Sequence, residues 1–119
     1  MAYVDGFVLA VPKRNLAAYR KVARTAGKIW REYGAVEYRE CVGDDVKGKS
    51  AAPMRNGVRL KPGETLVFSW IVHKSKRDRD RVNKLVMKDP RILKMIDLSK
   101  NAFDMKRMGY GGFKVFVEY

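Results

Sequence analysis

Two segments of this chain are apolar on both faces of a β-strand, and this property constrains the fold more than any other. Residues 3–11 and 64–73 both alternate as strands do, yet each carries apolar side chains in both alternating rows. In the second segment, Phe68 and Ile71 belong to opposite rows. A strand that is apolar on both faces is buried on both faces. We therefore expect both segments to lie inside a sheet that is covered from each side.

Periodicity and capping signals predict the remaining elements. Asn15 and Gly34 bracket one apolar stripe as its N-cap and stop. Ser75 begins a second helix, and Asp89–Pro90 opens a short third one. The predicted elements are a helix over 15–33, a strand over 35–42, a helix over 75–88, a short helix from residue 90 and a strand over 112–118.

The order of these elements predicts the fold class. Strand, helix, strand, strand, helix, strand is the split βαβ pattern of an α+β, ferredoxin-like domain, and we expect one such domain over residues 1–119. Its helices lie on one face of a four-stranded antiparallel sheet, so the apolar side chains of the other face need a cover. A second identical sheet packed face to face is the simplest cover, which predicts a twofold-symmetric homodimer.

Composition and charge exclude several classes of protein. The 119 residues are 46% hydrophobic and 33% charged, which is a globular profile. No targeting signal or membrane-spanning segment is evident, so a cytoplasmic protein that does not enter a membrane is expected. One cysteine, Cys41, and one histidine, His73, exclude an intrachain disulfide and a Cys/His zinc site. We predict neither a metal site nor a cofactor.

Several motifs resemble those of a known bacterial family, the YbaA-like proteins of unknown function. The opening Tyr3–Val8 and the closing Phe103–Phe113 are the most specific. Shorter matches lie at Glu40–Cys41, Phe68–Ile71, Ser75–Lys76, Arg79–Asp80 and Asp89–Arg91. The resemblance covers nearly the whole chain and departs from the family after Val46, where the sequence up to Leu60 is more basic.

This resemblance implies the dimeric α/β-barrel superfamily, in agreement with the predicted fold. The superfamily includes cofactor-free monooxygenases, isomerases and haem-degrading enzymes, whose ligands lie between helices and sheet or within the barrel. For the present chain it implies no particular activity.

The segment 103–113 carries the main candidate site for a small ligand. The Arg107 guanidinium can form two parallel hydrogen bonds to a carboxylate, and the glycines around Tyr110 permit the backbone to approach a ligand closely. A structural turn, with Asp104 paired to a base, accounts for the same residues and is favoured. The candidate ligand-binding residues are Asp5, Trp70, Asp104, Arg107 and Tyr110.

Three further side chains have a chemical and a structural interpretation. Asp5, within an apolar strand, is either a general base or the partner of a base such as Arg107 or Arg39. His73 is either a proton shuttle or a haem ligand or, more simply, a solvated group at a strand end. Cys41 fits a small buried hydrophobe better than a nucleophile.

The net charge of +13 favours an anionic partner or serves solubility alone. The long loop 44–63 and the helix 75–88 are both rich in bases. A solvated basic face accounts for these bases and is favoured, since no RNA-binding motif is present, and an RNA- or DNA-binding surface is the alternative. The residues of this alternative are Lys47, Lys49, Arg55, Arg77 and Arg81.

The sequence therefore supports three functions. A pocket for a small anionic or aromatic ligand is preferred, and a cofactor-independent monooxygenase or isomerase and a nucleic-acid-binding protein are the alternatives.

Overall fold

The computed structural model describes residues 1–119 as one antiparallel sheet with helices packed against it. The strands are β1 (Tyr3–Pro12), β2 (Glu37–Val42), β3 (Glu64–His73) and β4 (Gly109–Lys114). The helices are α1 (Leu16–Tyr33), α2 (Ala52–Gly57), α3 (Lys76–Val86) and α4 (Pro90–Ser99). Short 3₁₀ turns lie at Lys13–Asn15, Lys49–Ala51 and Met105–Arg107.

The strands lie in the order β2-β3-β1-β4, and all three neighbouring pairs are antiparallel. Leu9 is opposite Val67 in β3, and Tyr3 is opposite both His73 and Lys114. The predicted α+β, ferredoxin-like fold is therefore confirmed. The two strands predicted to lie inside the sheet, β1 and β3, are its two central strands.

Local signals explain where the helices begin and end. Gly34 ends α1 at a φ of 120°, a conformation that favours glycine. The Ser75 hydroxyl accepts a hydrogen bond from the Asp78 N–H, and the Asp89 carboxylate accepts one from the Arg91 N–H. Asn15 occupies the N-cap position of α1, but its side chain instead donates to the carbonyl of Ala102.

One face of the sheet is covered by α1, α3 and α4. Leu9, Val11 and Val67 point to this side and pack against Tyr19 and Ala23 of α1. A second apolar cluster joins the three helices; its members are Ile29, Val82, Val86 and Ile92. We call this the helix side of the sheet.

The opposite face is covered at one end only, and by the chain's own loop. Val58 is buried against Ala10 and Leu66, with Val46 and Leu60 beside it. The prediction of a loop over the whole of 44–63 is therefore wrong at residues 52–57, which form α2, and the segment packs apolar side chains onto the sheet.

The rest of this face is open. Phe113 in β4 is 60% exposed, and Phe68 in β3 is 44% exposed. The predicted bounds of β4 are wrong, because the strand spans 109–114 rather than 112–118. The five residues after it lack a strand partner apart from one bond from the Val115 N–H to the Ala2 carbonyl, and Phe116 and Tyr119 are exposed.

None of the helices combines the length and hydropathy that crossing a membrane requires.

Candidate functional site

An apolar cavity lies between the helix side of the sheet and the helices α1 and α4. Its volume is about 170 Å³, and 15 of its 18 lining residues are hydrophobic. Phe7 and Ile71 line it from the sheet, Ala26 and Trp30 from α1, and Met95 from α4. We call this space the inner cavity.

The polar end of the inner cavity is formed by Glu40 and two tyrosines. The Tyr19 hydroxyl donates to Glu40 Oε1 at 2.6 Å, and the Tyr38 hydroxyl donates to Oε2 at 2.6 Å. Burial, and next the charge of Glu40, raise the pKa of both tyrosines far above its usual range. Both phenols therefore remain neutral donors. The other polar lining residues are Ser69 and Ser99.

A larger groove opens beyond this polar end, between α1 and the edge strand β2. Its volume is about 1270 Å³. Tyr19, Ala23, Tyr38 and Glu40 line both the groove and the inner cavity. The Glu40 carboxylate therefore marks where the two spaces meet. We call the larger space the outer groove.

Gly27 allows α1 to approach β2 closely enough to form this boundary. A β-carbon at Gly27 would lie 2.7 Å from the Tyr38 ring, inside van der Waals contact. The glycine lies in a helix, where it is unfavourable relative to alanine. Its presence is explained by the ring that packs against it.

A buried ionic cluster lies on the same face of the sheet, next to the inner cavity. Asp5 is 1% exposed, and its Oδ1 accepts a hydrogen bond from Arg79 Nη1 at 2.8 Å. The Tyr110 hydroxyl lies 3.4 Å from the same oxygen. His73 is fully buried, with Nε2 3.6 Å from Asp5 Oδ2, and Arg79 lies 4.8 Å from the centre of the Tyr3 ring.

This cluster holds Arg79 in its charged form. Burial is the largest single influence and lowers the pKa of Arg79, but Asp5 and the smaller contributions of Tyr110, Tyr3 and Asp80 together outweigh it, and the pKa is raised above its ordinary value. Asp5 therefore pairs with a base, as its structural interpretation predicted, but the base is Arg79 rather than Arg107 or Arg39. The interpretation of His73 as a solvated group is wrong.

The five ligand-binding candidates do not lie in one place. Asp5 and Tyr110 come together, as described above. Trp70 lies on the opposite face, where its indole N–H donates to Glu37 at 2.7 Å. Asp104 and Arg107 form a third group near the start of β3. None of the five lines the inner cavity or the outer groove.

Arg107 ties the 44–63 loop to the sheet. Its guanidinium forms a two-pronged bond to Glu64 at 2.8 and 2.5 Å, and Nη1 also donates to the carbonyls of Val58 and Arg59. The Asp104 side chain caps the 3₁₀ turn by accepting from the Lys106 N–H. These contacts match the structural interpretation of the segment 103–113.

Buried carboxylates make the protein sensitive to acid. The hydrogen bonds from Arg107 lower the pKa of Glu64, and those from Arg91 and Tyr33 lower the pKa of Asp89. A carboxyl group whose pKa is lower in the folded than in the unfolded state stabilises the fold at pH values above its unfolded-state pKa. This stabilisation is lost as the pH falls from the unfolded-state pKa to the folded-state pKa. We expect the free energy of unfolding in urea to fall steeply below about pH 4.5.

Glu64→Gln is the matched variant for this measurement. Its free energy of unfolding should be lower than that of the native chain at pH 7, and the two free energies should converge as the pH falls towards 3. A constant difference across that range would contradict the assignment to Glu64.

The nucleic-acid candidates lie on opposite faces of the sheet. Lys47, Lys49 and Arg55 belong to the loop that covers the open face, whereas Arg77 and Arg81 lie on α3, on the helix side. Arg55 is engaged with the carbonyls of Val46 and Gly48, and Arg81 with Asp78. The loop and helix therefore do not form one continuous basic surface.

Sequence reasoning missed the tyrosine–glutamate group altogether. A signal was present, because Tyr38 and Glu40 share one face of β2 and a glutamate on a face covered by a helix needs partners. The interpretation of Cys41 as a buried hydrophobe is wrong, because the residue is exposed on the edge strand.

The sheet order and the helix packing place this protein among the ferredoxin-like α+β proteins. The structure resembles SnoaB from Streptomyces nogalater, a cofactor-independent oxygenase, with a TM-score of 0.64 at 11% identity over 98% of this chain and 95% of that one. It also resembles a dimeric ferredoxin-like protein from an uncultured marine organism, with a TM-score of 0.62 at 9% identity over 99% of this chain and 98% of that one. At such identities the likeness shows the fold alone.

The chain belongs to the family described as "Protein of unknown function (DUF1428)", whose model matches residues 2–105. It is 41% identical to the uncharacterized protein YbaA of Escherichia coli (strain K12), over 99% of each chain. The resemblance to the YbaA-like family inferred from the motifs is therefore confirmed.

Proposed function

We propose that this protein is a homodimer that binds a compact aromatic or branched apolar molecule in the inner cavity. The observation that carries the proposal is an apolar cavity whose polar end presents a carboxylate that two tyrosines hold in place. Binding sites for small molecules combine a mostly hydrophobic lining with a few fixed polar groups in this way.

The size and lining of the cavity set the class of ligand. An enclosed apolar cavity of about 150 Å³ binds benzene, and the inner cavity, which meets the outer groove at its polar end, is of similar volume. Burial of apolar surface is the driving force, at roughly 25 cal/mol per Å². A single aromatic ring, or a branched chain of similar size, therefore fits better than a polar metabolite.

The polar end supports a fixed orientation of the ligand. Glu40 Oε1 and Oε2 each accept one tyrosine hydrogen bond and retain lone pairs for a further donor. A hydroxyl or amine on the ligand would satisfy them. A ligand with its own carboxylate at this end would face repulsion from Glu40, which places any acidic group elsewhere.

The proposal of a homodimer rests on the uncovered apolar part of the sheet. Phe68 and Phe113 leave an apolar surface beside the half-buried Trp70, and the segment after β4 carries two further exposed aromatic side chains, Phe116 and Tyr119. Surfaces of this kind mark an interface. We expect light scattering to give twice the mass of one chain, and Phe113→Glu to give the mass of a monomer. A monomeric native chain would contradict the dimer.

Ligand-observed ¹⁹F NMR with fluorobenzene and 5-fluoroindole tests the binding site. We expect both probes to bind the native chain. The Ala26→Leu variant should bind both much more weakly, because the longer side chain occupies the inner cavity. Thr25→Leu, on the exposed side of the same helix, is the control and should bind normally. Failure of both probes to bind, or equal binding to the two variants, would overturn the proposal.

A second candidate function is an enzyme of the cofactor-free oxygenase or isomerase type. Glu40 favours it, because a carboxylate at the end of an apolar cavity is placed as a general base must be. The fold neighbour SnoaB is described as a cofactor-independent oxygenase. Asp5 lines neither space, so Glu40 replaces it as the candidate base. Once a substrate is found, Glu40→Gln should abolish turnover, and full activity of that variant would exclude Glu40 as the base.

A further inference from the structure

Three bases lie in a row along the side of α1 that lines the outer groove. Arg20, Arg24 and Lys28 are four residues apart, which places them on one face of the helix. All three are exposed, and none forms a hydrogen bond or ion pair within the chain. We call them the basic row. It spans about 12 Å of the helix axis, given a rise of 1.5 Å per residue.

The other charged groups of the groove are already paired. Arg91 bonds to Glu32, Trp70 and Arg39 bond to Glu37, and the two tyrosines bond to Glu40. Arg31 donates to the carbonyls of Ala35 and Val36, so it is occupied by the turn that follows α1. The charges of the groove that lack partners are therefore the three positive ones of the basic row.

We infer that the ligand of this site is amphipathic, with its apolar part in the inner cavity and a phosphate or similar multiply charged anion on the basic row. This inference rests on the proposed function and extends it by naming the second half of the ligand. Glu40 repels an anion from the polar end of the cavity, and the basic row attracts one in the groove. The negative charge of Glu40 and the positive charge of the basic row together select one orientation of the ligand.

A row of three separate bases fits a phosphate better than a carboxylate. A single carboxylate is matched by one guanidinium fork, as in the Arg107–Glu64 pair of this chain. Three cations spread along two turns of helix suit a group with at least two charges, or one extended along the groove. Arg24, in the middle of the row, would make the central contact.

Isothermal titration with 4-phenylbutyl phosphate and 4-phenylbutanol tests the inference. The two compounds share the apolar part and differ only in the anion. We expect the phosphate to bind about tenfold more tightly, as one charge-assisted hydrogen bond provides. The variant Arg20→Gln, Arg24→Gln, Lys28→Gln should lose this advantage and bind the alcohol as the native chain does.

A second triple variant controls for net charge. Lys21→Gln, Lys84→Gln, Lys88→Gln removes three exposed charges outside the groove and should keep the advantage. Equal affinity of the native chain for the two compounds would overturn the inference, and so would an advantage that survives loss of the basic row. If the alcohol does not bind at all, the proposed apolar binding site is contradicted. That outcome is distinct from equal binding of the two compounds, which contradicts only the role of the basic row.

Discussion

Replacing Asp5 by alanine is expected to lower the free energy of unfolding by about 3–5 kcal/mol, the usual effect of removing one partner of a buried ion pair. Asp5 lies inside the central strand and is the close acceptor for Arg79. Without it, the largely buried guanidinium keeps only the solvent-exposed carboxylate of Asp80 as a charged partner. Chemical denaturation of the native chain and the variant at pH 7 measures the difference.

The chain contains a matched control for this prediction. Asp80 pairs with the same Arg79, at 2.9 Å from Nε, but its side chain is 62% exposed. Exposed pairs contribute little, so Asp80→Ala should lower the stability by no more than about 0.5 kcal/mol. Equal losses for the two variants would show that the burial of Asp5 is not the cause.

Replacing Arg107 by methionine is expected to lower the free energy of unfolding by about 3 kcal/mol, because Glu64 keeps its buried charge and loses its partner. The variant also frees the carbonyls of Val58 and Arg59, which Arg107 now binds. Arg59 has a φ of 51°, a conformation that costs a residue with a side chain about 1–2 kcal/mol. The 44–63 loop should therefore loosen.

Two measurements separate these effects. Denaturation gives the global loss, and amide hydrogen exchange in residues 44–63 should accelerate more than exchange in β1. Lys106→Met, an exposed neighbour, should change neither. The double variant Arg107→Met, Glu64→Gln should recover part of the lost stability, because the unpaired charge is then absent; no recovery would contradict the ion-pair explanation.

Much of the fold could be predicted from single segments of the sequence. The central positions of β1 and β3 follow from their sequences, because both rows of their side chains are apolar. Ser75 and Asp89 each precede a helical pattern, and both cap a helix as predicted. The loop and β4 were less predictable. Val46 and Val58 look like isolated apolar residues until the sheet face that they cover is known.

The candidate site was harder to predict than the fold, because it depends on which segments become neighbours. Tyr19 and Glu40 are 21 residues apart and meet only because α1 packs over β2. The glycine-rich stretch around Arg107 has the composition of a binding loop, but its contacts are those of a structural clamp. Likewise, the position of His73 at the end of β3 predicts a solvated group, whereas the fold buries it beside Asp5, which α3 covers with Arg79.

The position of β1 also has a consequence for synthesis on the ribosome. The first strand to emerge lies between β3 and β4, so its partners are made only after residues 64 and 109. Pairing of such distant segments is slow. The apolar side chain of Val4, on the open face, consequently lacks its neighbours Val72 and Phe113 until those segments are translated, whereas Leu9 can already pack against α1.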